Sequence, residues 1–100
     1  MKITKLNGRY TANRRWGYTH SVTFGAFEWK EFYAVKGKAN GILGNSTDMR
    51  KSFLWRDDIE LLKSALWTYH YKTTSKPMFI YFRNEDDMNQ VLMMYALTKE

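Results

Sequence analysis

Polar and apolar positions alternate most clearly between Tyr18 and Phe24, where Thr19, Ser21 and Thr23 separate Tyr18, His20, Val22 and Phe24. A period of two lines one side of a strand with apolar groups, so a strand is predicted there. A weaker alternation over Met1–Leu6, with Met1 and Ile3 on one side and Lys2 and Thr4 on the other, predicts another. The polar, basic stretch that joins them, from Asn7 and Gly8 through Ala12 to Gly17, reads as a solvent-facing arm or a long hairpin turn.

From Ala26 the period lengthens. Trp29, Phe32, Tyr33, Ala39, Ile42 and Leu43 recur at helical intervals among Glu28, Lys30, Glu31 and Lys38, which predicts a helix. Gly37 and Gly41 each cost about 1 kcal/mol relative to Ala inside it, so the helix either ends early or is supported by close packing. Gly44-Asn45-Ser46-Thr47-Asp48 is a run of turn-formers, and Asp57 followed by Glu60 makes an acidic capping box. The helix predicted from that point carries Ile59, Leu62, Ala65, Leu66 and Tyr69 on one face and stops in Lys72-Thr73-Thr74-Ser75-Lys76-Pro77. Met78-Phe79-Ile80-Tyr81-Phe82 is a short apolar run rich in β-formers, expected as a central strand covered on both faces. Asn84 caps a short helix with Glu85, Asp86 and Asp87 in its first turn and Met88, Val91 and Leu92 facing inward. Met94–Leu97 is expected to return as an edge strand in preference to extending that helix. The order β-β-α-α-β-α-β describes an α+β chain: a single small domain over residues 1–100, with a mostly antiparallel sheet of about four strands and two or three helices packed on one face. No repeat, linker or low-complexity tract is visible.

Composition narrows the picture. The chain is 44% hydrophobic and 17% aromatic over 100 residues, which excludes intrinsic disorder and is enough for one core. Cys is absent, so disulfide frameworks, Cys-type zinc sites and thiol nucleophiles are excluded. The longest apolar run, Val91–Leu97, falls far short of the ~20 residues that span a bilayer. Met1–Gly8 lacks the apolar stretch of a signal peptide. A soluble cytoplasmic protein with no membrane partner is the expectation.

Charge changes the picture more. The net +6 divides unevenly: residues 1–56 hold 11 Lys/Arg against 3 acids, a net +8, and residues 57–100 hold 5 against 7, a net −2. The first 27 residues carry Lys2, Lys5, Arg9, Arg14 and Arg15 and no acid. Gathered on one side, these would attract polyanions; dispersed, they would be an ordinary solvated surface. Within Arg9–Tyr18, arginines interleave with Tyr10, Trp16 and Tyr18. Guanidinium groups neutralise phosphates and rings stack on unpaired bases for about 1 to 3 kcal/mol each, which is the pairing that single-strand binding uses. The candidate site is therefore Lys2, Lys5, Arg9, Tyr10, Arg14, Arg15, Trp16 and Tyr18. Two other uses fit the same residue types: rings that anchor the arm to the core, and hot spots that dock on an acidic protein surface.

Catalytic chemistry finds less support. Lys36-Gly37-Lys38-Ala39-Asn40-Gly41-Ile42-Leu43-Gly44 fails the phosphate-loop pattern, because Ile42 follows Gly41 and Asn45 follows Gly44 where a lysine is required. His20 and His70 are fifty residues apart with no metal-ligand spacing, and His20 reads as a half-buried structural imidazole. Asp57-Asp58 and Asp86-Asp87 are explained as helix starts. No enzyme, cofactor or metal is expected. Trp67, Tyr69 and Tyr71 cannot all face one core on a helix, so at least one is expected at the surface. Lys76–Phe82 lacks the glycines of the aromatic strand of an RNA-recognition motif.

Arg9-Tyr10-Thr11 with Asn13-Arg14-Arg15, then Trp29 with Phe32-Tyr33-Ala34-Val35, and Ile80-Tyr81-Phe82-Arg83 before an acidic helix start, resemble small α+β proteins encoded by tailed bacteriophages. The resemblance spans most of the chain and supplies no catalytic residues. It implies a phage setting, with the protein in the host cytoplasm as a binding module for a host or phage macromolecule. The main expectation is nucleic-acid binding. The alternative is a protein-binding accessory: an inhibitor of a host enzyme or defence complex in host takeover, or a small subunit of a phage assembly.

Overall fold

A computed structural model describes residues 1–44, 46, 63–71 and 77–97. Four strands, β1 (Lys2–Lys5), β2 (His20–Phe24), β3 (Trp67–Tyr71) and β4 (Met78–Phe82), form one antiparallel sheet in the order β1-β2-β4-β3. The register lines apolar positions up across the strands: Val22 stands opposite Ile80, and Ile80 opposite Tyr69. His20, Phe82 and Trp67 make the next row on the same face. Met78, Ile80 and Phe82 are buried and Phe79 and Tyr81 half-buried, so β4 is the central strand its composition predicts.

Two helices cover that face. A 3-10 turn (Ala26–Glu28) leads into α2 (Trp29–Leu43), and a helix over Glu85–Leu97, here α3, closes the described chain; α1 is placed below. Phe32, Val35 and Ala39 of α2 and Met88, Val91 and Tyr95 of α3 recur at spacings of three and four, the stripe a helix turns toward a core. They join Val22, Phe24, Trp67, Met78, Ile80 and Phe82 in one cluster. The fold is α+β, as the residue pattern predicts.

Three expectations need correction. Met94–Leu97 extends α3 rather than forming a strand, because Tyr95 falls four residues after Val91 and enters the same core stripe. The fourth strand is Trp67–Tyr71, which the pattern placed in a helix. Only Lys63 and Ser64 of that predicted helix are seen as helical; its capping box at Asp57 and Glu60, with Ile59 and Leu62, lies outside the described residues. Alternation of Trp67 and Tyr69 around Thr68 suits a strand at an edge, where Trp67 and Tyr69 reach the core and its margin together. Third, the Asn7–Gly17 arm contains a helix, α1 (Thr11–Trp16).

α1 lies on the opposite face. Ala12 and Trp16, four apart, pack with Leu6, Tyr18 and the half-buried Tyr81 into a second cluster. Gly17 ends the helix in the left-handed region at φ 79°, its N–H donating to Asn13 O. A Cβ there would stand 2.9 Å from Arg83 Nη1, so that the arginine would have to shift, and the left-handed backbone itself favours glycine. Arg83 Nη1 donates to Trp16 O at 2.7 Å and Nε to Ala65 O at 2.9 Å, while the guanidinium carbon sits 4.5 Å from the Tyr18 ring centre. Burial pushes the Tyr18 phenol up to about 12, with Arg83 opposing the shift by charge and hydrogen bond.

Two outcomes follow for stability. Arg83→Met strands two carbonyl acceptors and should cost about 3 kcal/mol in urea unfolding; Gly17→Ala should cost at least about 1 kcal/mol. The double variant should lose less than the two together, since both act on one contact. Because the Tyr18 pKa is raised above the unfolded value of about 10, its contribution is complete below pH 10 and is lost as pH climbs toward 12. The loss should reach up to about 3 kcal/mol, and Tyr18→Phe should flatten that alkaline slope.

Candidate functional site

The turn Asn7–Tyr10 and helix α1 bring the basic segment together. Asn7 Oδ1 accepts the Arg9 N–H at 2.9 Å and Asn7 O accepts the Tyr10 N–H at 3.0 Å, an Asx-type turn that delivers the chain to α1. Because Ala12 and Trp16 face the sheet, Arg14, midway between them on the helix, points away from it. Arg15 is exposed beside it, as are Arg9 and Tyr10, the latter 44% exposed. Arg9, Tyr10, Arg14 and Arg15 are thus all exposed within one seven-residue stretch.

The other predicted residues separate from it. Trp16 and Tyr18 are buried, at 8% and 0% exposure, and anchor α1 instead of presenting rings to a ligand. A four-residue spacing from Ala12 is what turns Trp16 inward. Lys2 and Lys5 lie on the edge strand β1, both exposed, about 10 Å apart and on opposite faces. Lys2 stands opposite Thr23, which faces Phe79 in turn. Lys5 stands opposite His20, whose Nε2 is 3.7 Å from Glu85. Lysines on an edge strand also discourage pairing with another chain.

None of Lys2, Lys5, Arg9, Arg14 and Arg15 forms an ion pair with any described residue. Two of the described acids are engaged elsewhere. Glu28 accepts the Met1 ammonium and the Gly25 N–H, and the first of these bonds chiefly holds its carboxyl below the usual carboxylate range. Glu85 touches His20, and with Asp86 and Asp87 it opens α3, on the face away from α1. The positive surface therefore keeps its charge.

His20 is buried, its Nδ1 2.9 Å from Thr19 Oγ1, a structural imidazole in a strand row. Asp57 and Asp58 lie outside the described residues. Among the described residues, no three His, Asp or Glu side chains cluster to hold a metal, and no helix is long and apolar enough to cross a membrane.

A second feature was not singled out by motif. A cleft of about 380 Å³ opens between α2 and the edge strand β3, lined by Tyr33, Lys36, Gly37 and Asn40 of α2, by Trp67 and Tyr69, and by Ser46. The signal was in the spacing, since positions 33, 36, 37 and 40 share one helix face. Tyr33 is 50% exposed and Trp29 51%, although the helical pattern placed both inward. On the α1 side of the sheet, Phe79 and Tyr81 stack with ring centres 6.0 Å apart, an aromatic pair on a central strand without the glycines of the RNA-recognition pattern. Comparison with protein families, curated proteins and solved structures finds no match for this chain.

Proposed function

We propose that the protein is a non-enzymatic module that binds single-stranded nucleic acid. Arg9, Arg14 and Arg15 take the phosphates, Lys2 and Lys5 add positive charge from the β1 edge, one on each face of the sheet, and Tyr10 stacks on an unpaired base. One observation carries this reading: all five cations are exposed and none is paired with a described carboxylate. A cation that is neither buried nor neutralised releases counterions from a polyanion at full strength. The single strand is preferred because a stacking ring needs a base out of its duplex.

Burial of Trp16 and Tyr18 leaves one exposed ring in the segment, which favours a second reading. Arginines around a lone tyrosine also suit an acidic protein surface, the partner class that the resemblance to small phage proteins implies.

Fluorescence anisotropy with a labelled single-stranded oligonucleotide over a salt series tests the first reading. Five contacts give a log–log slope of about −3.5, and Arg14→Ala with Arg15→Ala should reduce it to about −2 with the fold retained and Tm lowered by no more than a few degrees. Undetectable or salt-independent binding at low ionic strength would remove the proposal. Affinity purification with and without nuclease separates the two readings: a partner retained after nuclease treatment favours the protein surface.

A further inference from the structure

We infer that a second copy of this chain docks along α2, the Phe27 ring of each copy entering the α2–β3 cleft of the other. Phe27 is 99% exposed, the most of any large apolar residue described, so its ring lies clear of its own chain. The 3-10 turn that carries it is braced. The Glu28 N–H donates to Gly25 O at 2.9 Å, the Glu28 carboxylate accepts the Gly25 N–H at 2.9 Å, and the Met1 ammonium pairs with the same carboxylate. A ring held out on a fixed turn is already in the form in which it binds, so little ordering is lost on docking. Trp29 and Tyr33, each half exposed and with ring centres 6.5 Å apart, carry the apolar surface on along α2 to the cleft that Tyr33 lines.

The receptor for Phe27 is on the same chain but out of its reach. Phe27 lies six residues before Tyr33, and Asn40, which lines the cleft, seven after it, so each stands about 10 Å from Tyr33 along the axis, on opposite sides. A two-fold axis at Tyr33 reverses α2 and lays the Phe27 of each copy beside the Asn40 end of the other cleft. Both rings dock at once, and the contact closes on itself as an isologous dimer. The cleft, about 380 Å³, is of the size that admits small molecules whole, roughly 300–1,000 Å³, and one phenyl ring enters it with Lys36 left over Tyr69. Aromatic side chains bury about 150–250 Å² each, so at their exposures Phe27, Trp29 and Tyr33 supply roughly 400 Å² per copy. A standard interface takes about 800 Å² per partner, which sets this dimer in the weak, concentration-dependent class. Each copy carries +6, and Lys30 and Lys36 flank the contact, so charge opposes docking and salt relieves it. α1 packs on the other face of the sheet, which leaves both arginine surfaces open in the dimer.

Sedimentation equilibrium of the full, nuclease-treated chain over a concentration series tests this. A reversible dimer of twice the monomer mass should form at about 0.1 to 1 mM and tighten as salt is raised. Phe27→Asp should weaken it at least about tenfold with Tm unchanged, since the ring supports nothing in its own chain. Gly37→Phe, which fills the cleft from a position where a Cβ meets nothing within 4 Å, should weaken it equally. Mixed together, the two variants should regain part of the association, because the intact ring of one meets the intact cleft of the other. A monomer at about 1 mM, a dimer that Phe27→Asp leaves unmoved, or variants that fail to complement overturns the inference. Association that salt weakens overturns it too, as that is the signature of a polyanion bridging two arginine surfaces.

Discussion

The guanidinium of Arg83 fastens the end of α1 to the sheet. Arg83 directly follows the central strand β4, and its backbone N–H donates to Leu66 O while its carbonyl accepts the Thr19 hydroxyl. Its side chain ties Trp16 O and Ala65 O. The end of α1, the entry to β2 and the entry to β3 are therefore all fastened to one residue. α1 needs this: six residues are too few to hold a helix in water, and while the Gly17 and Tyr18 N–H groups serve Asn13 O and Ala12 O, the final carbonyl of Trp16 takes its bond from Arg83. A half-buried guanidinium is tolerable because carbonyls and the Tyr18 ring replace the water it loses. The outward display of Arg14 and Arg15 rests on that fastening, since the face they occupy is set by Trp16 pointing inward.

Charge segregation has local causes on both sides. Arg14 and Arg15 stand in the last turn of α1, and Glu85, Asp86 and Asp87 in the first turn of α3. Each group matches the partial charge of its helix end, for about 0.3 to 1 kcal/mol. Such matching leaves the side chains in solvent, so it fixes where charge sits without consuming it. The two helices pack on opposite faces, and the described acids at the start of α3 consequently do not neutralise the arginines of α1. The same three acids that complete a helix start would repel a polyanion from the α3 side.

Period-two alternation made β2 legible in the sequence, a short β-forming apolar run made β4 legible, and the helical recurrence of Trp29, Phe32, Tyr33 and Ala39 made α2 legible. Short elements were harder. α1 offers one inward pair, Ala12 and Trp16, among arginines that read as solvent-facing whether the chain is coiled or helical. Trp67–Tyr71 follows residues of helical periodicity, and nothing local marks the bend at Leu66 where the chain leaves it; the strand exists because β4 has an edge to pair. The end of α3 was read as a strand for the opposite reason, a dense apolar run whose helical register appears only when Tyr95 is counted with Val91. At the site, the five cations were correctly placed at the surface by charge alone. Trp16 and Tyr18 were not, because an aromatic beside an arginine looks the same in sequence whether it stacks on a ligand or on the core.

The cleft beside α2 follows from how the sheet protects its second edge. β1 does so with lysines, but β3 carries Trp67 and Tyr69 and depends on other contacts. Ser46 Oγ donates to Trp67 O and Trp67 Nε1 donates to Gly44 O, so the chain leaving α2 is bound against the start of β3. Phe32 packs against both Tyr33 and Tyr69 in edge-on ring contacts, joining helix to strand earlier along α2. Edge protection of this kind explains the presence of a concavity and the burial of Trp67. Lys36, its ammonium 4.1 Å from the Tyr69 ring centre, covers the aromatic wall of that concavity by a cation–π contact.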